Sequence, residues 1–266
     1  MNITTVRWVD LDEAASSSGR CTLNIALSDR IDSIIAGEKV ELFFQPIVRL
    51  TGWPQLIDVV GYEALARFCP CCLTDNVFSE ADRLGKRPEL ELALLRQALA
   101  WLPAMPYGAF LNLNVSPAAI VHPDFASAIE FAPLKLIVFD VSANAGDVDP
   151  IQLGRMLDRV QQAGGRIAAD DTGADTKSAH PAMFHQNIVK IDGTIVSEID
   201  SIPWKQTLAN AFKGMAWLVG ADVVAEGIET IAELSELRSQ GIGYGQGNLL
   251  APPAPAAVLF ATGHAA

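Results

Sequence analysis

The stretch that decides the fold is residues 40–68, VELFFQPIVRLTGWPQLIDVVGYEALARF. Two β-rich runs, 40–48 and 59–68, are joined by nothing more than Arg49 and LTGWPQLID. A crossover between parallel strands needs about a dozen residues or more, usually including a helix. The join is too short for one, so the first strand is expected to run antiparallel to the second.

Beyond that hairpin the pattern alternates. Helix PELELALLRQALAWL, with leucines over one broad face, is followed by strand AFLNLNVS (109–116) and strand LKLIVFDV (134–141). Helix QLGRMLDRVQQ places Leu153, Met156, Leu157 and Val160 at i, i+3, i+4 and i+7 and ends at Gly164-Gly165. Strands RIAADD and NIVKID come next, then helix WKQTLANAFKGMAWL with Trp204, Leu208, Phe212 and Met215 on one side. Strand ADVVAEG precedes a helix opened by Thr230 and Glu233 at capping-box spacing, and strand GYGQG and the Pro-started helix PAAVLFA close the chain. Eight strands, many almost continuously apolar, are what a parallel sheet buried on both faces requires. The expected fold is α/β, a modified TIM-type (β/α)8 barrel with an antiparallel first strand; 266 residues suit that size. Residues 1–30, polar except for a short helical stretch near Ser28 to Ala36, read as an N-terminal extension, and 31–266 as one barrel domain.

Composition narrows the function classes. Half the chain is apolar and mean hydropathy is +0.25, which excludes disorder and permits a large core. No apolar run approaches the roughly 18 residues of a membrane span, and the N-terminus carries acids where a signal peptide needs an apolar stretch. A cytoplasmic protein without membrane contact is expected. A net charge of −12 argues against polymeric nucleic acid as a partner. Any anionic substrate needs a cation or a local Arg or Lys to offset that field. Of four cysteines, Cys69, Cys71 and Cys72 crowd into CPCC with no second ligand pair for zinc, so they read as reduced thiols in a loop.

In barrels of this kind the chemistry sits at the C-terminal ends of the strands. Seven successive strands carry a polar residue in or near that end: Glu63, Asn114, Asp140, the pair Asp170-Asp171, Lys190, Glu226 and Gln246. Carboxylates that interrupt apolar strands need partners or a metal. A set of carboxylates with one amide oxygen, and no Cys or His, suits hard cations such as Mg²⁺ or Mn²⁺. Adjacent aspartates suit two ions about 3.5–4 Å apart, as in two-metal phosphoryl transfer. Lys190 would orient a water or neutralise charge; its plainer role is a salt bridge at the barrel mouth.

The segments FFQPIV, YEALARF, LNLNVSP, DDTG, IVKID, VVAEGIET and YGQGNLLAPP, in this order from about Val40 to Pro253, resemble the EAL domain family. Those are bacterial phosphodiesterases that linearise cyclic di-GMP to pGpG, and their fold is an α/β barrel with an antiparallel first strand. The resemblance implies two divalent ions held by Glu63, Asn114, Asp140, Asp170, Asp171 and Glu226. It implies that Lys190 positions the attacking water, that Glu229 supports the site, and that Gln246 contacts the water or metal shell. Gln45 and Arg67 would hold the dinucleotide's guanine or phosphate, and a homodimer is implied as well.

Three departures bear on activity. Where the family reads Glu-(Leu/Val)-Thr-Glu, this chain has Asp140-Val141-Ser142-Ala143, so one acid is a methylene shorter and the second, which anchors the loop after the paired aspartates, is absent. In that loop Asp175 replaces a glycine. Positional slack of about 1 Å costs on the order of a hundredfold in rate, so slow turnover is expected. The alternative is a catalytically impaired EAL domain acting as a cyclic di-GMP receptor or protein-interaction module. A third reading, an unrelated carboxylate-rich barrel such as a metal-assisted enolising enzyme, explains Lys190 and the acids but not the ordered motifs.

Overall fold

A computed structural model describes residues 27–52, 54, 58–68, 74–142, 148–169 and 186–260. Cys69, Cys71, Cys72, Ala143, the pair Asp170-Asp171, Asp175 and residues 1–26 lie outside the described residues. The elements in order are α1 (Leu27–Ile35), β1 (Glu41–Arg49), β2 (Asp58–Arg67), α2 (Thr74–Leu84), α3 (Arg87–Leu99), β3 (Phe110–Val115), α4 (Pro117–Ile120), α5 (Phe125–Ile129) and β4 (Ile137–Val141). They continue with α6 (Pro150–Gln162), β5 (Arg166–Ala169), β6 (Ile188–Ile191), α7 (Gly193–Val196), α8 (Pro203–Val219), β7 (Asp222–Ala225), α9 (Ile231–Ser239), β8 (Tyr244–Gly245), β9 (Ala254–Pro255) and α10 (Ala256–Phe260).

Strands β2 to β8 run parallel in sequence order, and β1 closes the circle between β8 and β2, antiparallel to both. The short join therefore does what its length dictates. Pro46 sits inside β1, where its missing N–H would break a ladder. It is tolerated because the far side of β1 is paired only at Val48–Arg49 with β8 and at Phe43–Phe44 with β9. Gln45 falls in the same gap.

Alternation along each strand sorts the core into two parts. Leu111, Leu113, Val115, Phe139 and Val141 face outward onto the helices, as do Val189, Ile191, Val223 and Ala225 on the other side of the barrel. Ile47, Phe110, Val138, Ala168, Ile188 and Val224 point inward and plug the barrel. A fully buried apolar side chain of this size contributes about 1.5–3 kcal/mol. Gly61 faces the same interior, and a Cβ there would lie 2.6 Å from the Phe110 ring, so only glycine lets that ring fill the floor.

Helix α3 is apolar on two faces because it lies between two layers. Leu92, Leu95 and Ala98 pack on the barrel, while Leu90, Ala93 and Leu94 join α1 and α2 in a satellite core with Ile31, Ile34, Val77 and Ala81. Helix α2 went unread in the sequence, since only Val77 and Ala81 of its eleven residues are buried. One residue of an expected face is corrected. In α8 the buried side chains are Lys205, Ala209, Phe212 and Ala216, and Trp204 is 61% exposed. Leu208 and Met215 pack on the same core as Phe212, so only Trp204 departs from the expected face; its neighbour Lys205 turns inward and donates to the carbonyls of Thr194 (2.7 Å) and Ser197 (2.5 Å), which tie α8 to α7.

Candidate active site

The polar residues sit directly above the apolar plug. Two residues beyond Gly61, Phe110, Val138, Ile188 and Val224 the inward positions are Glu63, Asn112, Asp140, Lys190 and Glu226. The Lys190 ammonium, buried, forms ion pairs with Asp140 and Glu226 and lies 3.8 Å from Glu63 Oε1. Asn112 Nδ2 donates to Asp140 Oδ2 at 3.1 Å. Glu63 is clamped by two amides: Asn114 Nδ2 donates to Oε1 at 2.8 Å and Gln246 Nε2 to Oε2 at 2.6 Å.

The expected residues Glu63, Asn114, Asp140, Lys190, Glu226 and Gln246 thus converge at one mouth. Asn114 lies on the exposed rim, whereas Asp140 is 1% exposed and lies deeper. Gln45 pairs in register with Glu63 and donates to the Ala251 carbonyl at 3.3 Å. Arg67, at the rim end of β2, stacks over Phe43 at 5.4 Å and donates to its neighbour's carbonyl, Ala66 O, at 3.2 Å. The Glu229 side chain is exposed; its contact with the network is its backbone N–H. Asn112 was missed in the sequence, although it stands two residues from a plug position, which is the signal that finds it.

Three carboxylates surround one ammonium, three charges less one, a formal excess of two negative charges. Burial pushes Glu226 up to about 8; Lys190 opposes this, and Glu63 and Asp140 add to it. Burial also acts upward on Glu63, but Lys190, Asn114 and Gln246 outweigh it and hold the carboxyl below the usual range. Burial alone would lower Lys190, yet Asp140, Glu63 and Glu226 raise it well above a normal lysine, so it stays cationic. Among the described residues no three acids converge on one ion position, because they are drawn around Lys190. The donor set nevertheless fits a hard divalent cation: all oxygens, in a buried cluster with negative charge left over.

Glu233 stitches together the segments that follow α7 and β7, downstream of Lys190 and Glu226. It completes a capping box with Thr230 on α9 and is itself buried. Its Oε2 accepts the N–H groups of Glu229 (3.0 Å) and Thr230 (2.9 Å), and its Oε1 accepts that of Glu198 (3.0 Å) from the loop after α7. Glu198 adopts a left-handed φ of 56°. Gly227 (φ +65°) approaches Gly193 so closely that a Cβ would lie 3.1 Å from its Cα. Burial would raise the Glu233 carboxyl, but the N–H groups of Glu198, Glu229 and Thr230 more than offset it and hold it low. A depressed carboxyl stabilises the fold fully above the ordinary carboxylate value and loses that contribution as pH falls through the folded value. Glu233→Gln is accordingly expected to cost about 1–3 kcal/mol at pH 7 in urea unfolding. The gap to the wild type should narrow below about pH 4; a constant gap would contradict the ionic role.

A barrel whose first strand is reversed, with acids, amides and one lysine ringed at the C-terminal mouth, defines a class of carboxylate-rich barrels suited to divalent cations. The EAL domain family model matches residues 27–253, and the chain belongs to that family. Cyclic di-GMP phosphodiesterase NbdA of Pseudomonas aeruginosa is 25% identical over 256 residues, covering 90% of this chain and 32% of its own length. Probable cyclic di-GMP phosphodiesterase PdeB of Escherichia coli is 26% identical over 242 residues, covering 85% of this chain and 45% of its own. The chain therefore spans less than half the length of these relatives. Among solved structures, the PaMucR phosphodiesterase in complex with c-di-GMP superposes with a TM-score of 0.75 at 21% identity, over 88% of this chain and all of that one. The Klebsiella pneumoniae BlrP1 calcium/cy-diGMP complex does so at 0.70 and 25%, over 83% and 57%. Among the described residues no helix is long and apolar enough to cross a membrane.

Proposed function

We propose that this chain hydrolyses cyclic di-GMP to linear pGpG, slowly, with two Mg²⁺ or Mn²⁺ ions. The observation that carries the reading is the convergence of Glu63, Asn114, Asp140, Lys190, Glu226 and Gln246 on one barrel mouth, in a family whose relatives are named cyclic di-GMP phosphodiesterases. Glu63, Asn114, Asp140, Glu226 and the pair Asp170-Asp171 would hold the ions, which when bound would polarise the phosphodiester and offset its charge. The amides of Asn114 and Gln246 keep Glu63 in one orientation. Lys190, kept protonated by its acid neighbours, serves as a hydrogen-bond donor that orients the attacking water and neutralises charge rather than as a base. Arg67 would fork onto a phosphate at the rim, and Gln45 would meet the dinucleotide across from Glu63. Glu229 supports the β7–α9 loop. A homodimer belongs to this reading, and the exposed apolar side chains Trp217 and Leu218 on α8 are consistent with one.

One observation favours the second reading, a nucleotide receptor or interaction module. Asp140, a methylene shorter than the family's glutamate, is almost wholly buried against Lys190 and Asn112, below the level of Asn114. Incubation of the purified chain with cyclic di-GMP and Mn²⁺, followed by chromatography, separates the two. Accumulation of pGpG supports hydrolysis. Saturable binding without product supports the receptor, and neither result leaves the interaction module.

A further inference from the structure

The opposite mouth of the barrel, at the N-terminal ends of the strands, holds a cleft of about 330 Å³. Its floor is the underside of the apolar plug, Phe110, Ile188 and Val224, and two arginines stand in its wall. Arg49 has partners: Nε donates to Asp58 Oδ2 at 2.8 Å, Nη1 donates to the Tyr244 hydroxyl at 3.0 Å, and the guanidinium lies 5.0 Å over the Tyr244 ring. Arg166, which opens β5, has no polar partner among the described residues. Its guanidinium carbon lies 4.5 Å over the Phe110 ring, yet it forms no hydrogen bond and no ion pair within 4.0 Å with any described residue. Burial depresses its pKa, with Asp222 and Tyr244 offsetting only part of that.

A guanidinium carries five N–H donors in a planar fork. Half-burying it on an aromatic face without an acceptor costs desolvation that the Phe110 ring and the charge of Asp222 repay only in part. The opposing charge that acts on it, Asp222, opens β7 with its side chain exposed to solvent. A cleft of this volume lies at the lower end of the range for small-molecule sites, about 300–1,000 Å³. We propose that this cleft is a second binding site, for a small oxyanion whose carboxylate or phosphate is held bidentately by Arg166, with any apolar part of the ligand resting on Val60 and Val224. The site is at the far end of the barrel from Glu63, and it stands or falls independently of the hydrolytic reading.

Isothermal calorimetry on the metal-free chain at low salt, with inorganic phosphate and benzoate as separate probes, tests it. Saturable binding of either probe is expected; phosphate alone or benzoate alone then assigns the ligand's headgroup. Arg166→Gln should weaken that binding about tenfold or more, and Asp222→Asn should tighten it about threefold by removing the opposing charge. Arg67→Ala, at the other mouth, should leave it unchanged. Absence of saturation by about 10 mM for both probes overturns the proposal, as does unaltered affinity in Arg166→Gln or weaker binding in Arg67→Ala. Should Arg166→Gln fail to fold, Asp222→Asn decides, because its side chain is exposed; unchanged affinity there overturns the proposal.

Discussion

Replacing Lys190 with methionine is expected to lower the stability of the metal-free protein by about 3–5 kcal/mol in urea unfolding. The ammonium is buried, pairs with Asp140 and Glu226, and faces Glu63. Methionine conserves much of the volume and none of the charge, so the loss is not a packing effect. What remains is a set of carboxylates with little access to water and no cation. Breaking a buried ionic cluster from one side is costly for that reason. The pH dependence follows from the same cause. Without Lys190, burial and mutual repulsion raise the carboxyls above the ordinary carboxylate value in the folded state. The variant should therefore be least impaired in acid and lose stability as pH climbs from about 4 through the raised folded values. A loss under about 1 kcal/mol, or one that does not change with pH, would show that the ammonium is not the cluster's counterion.

The largest effect on turnover is expected at Glu63. Alanine there removes a carboxylate whose two oxygens are each held by a side-chain amide, 2.8 Å from Asn114 and 2.6 Å from Gln246. Such clamping fixes the direction of its remaining lone pairs, which is what a ligand to a cation requires. If the mouth hydrolyses cyclic di-GMP, pGpG formation in Glu63→Ala should drop at least about a hundredfold, while far-ultraviolet circular dichroism stays that of the wild type. Product formed by the variant at the wild-type rate would place the chemistry elsewhere in the chain. The variant also relieves part of the negative excess, so its stability should fall less than that of Lys190→Met, and comparing the two separates a counterion role from a catalytic one.

Much of this was legible in the chain. The nine residues from Leu50 to Asp58 were too few for a crossover, and β1 is antiparallel. Thr230 and Glu233 have capping-box spacing, and the box is formed. Other features were not. Of the α8 residues Trp204, Leu208, Phe212 and Met215 only Trp204 faces solvent, because its neighbour Lys205 has carbonyl partners at α7, and a satisfied amine can be buried where hydropathy places a tryptophan. Asn112 looked like one polar residue among the alternating positions of β3, since its partner Asp140 is twenty-eight positions away. Glu233 looked like a helix cap and nothing more, since its bond to Glu198 spans thirty-five positions.

The sequence did not show the two-residue β9, paired with β1. By itself it determined the eight strands of the barrel, the reversed first strand and the end of the barrel where polar residues gather. These follow from local periodicity and the length of one connection, quantities that do not depend on what packs against what. Only the tertiary structure decided that Asp140 lies beneath the rim, that Lys190 is shared by three acids, and that Glu233 ties together the loops after α7 and β7. Those outcomes depend on which side chains from distant strands meet inside a closed sheet, where distance and burial, not spacing along the chain, set the strength of each charge.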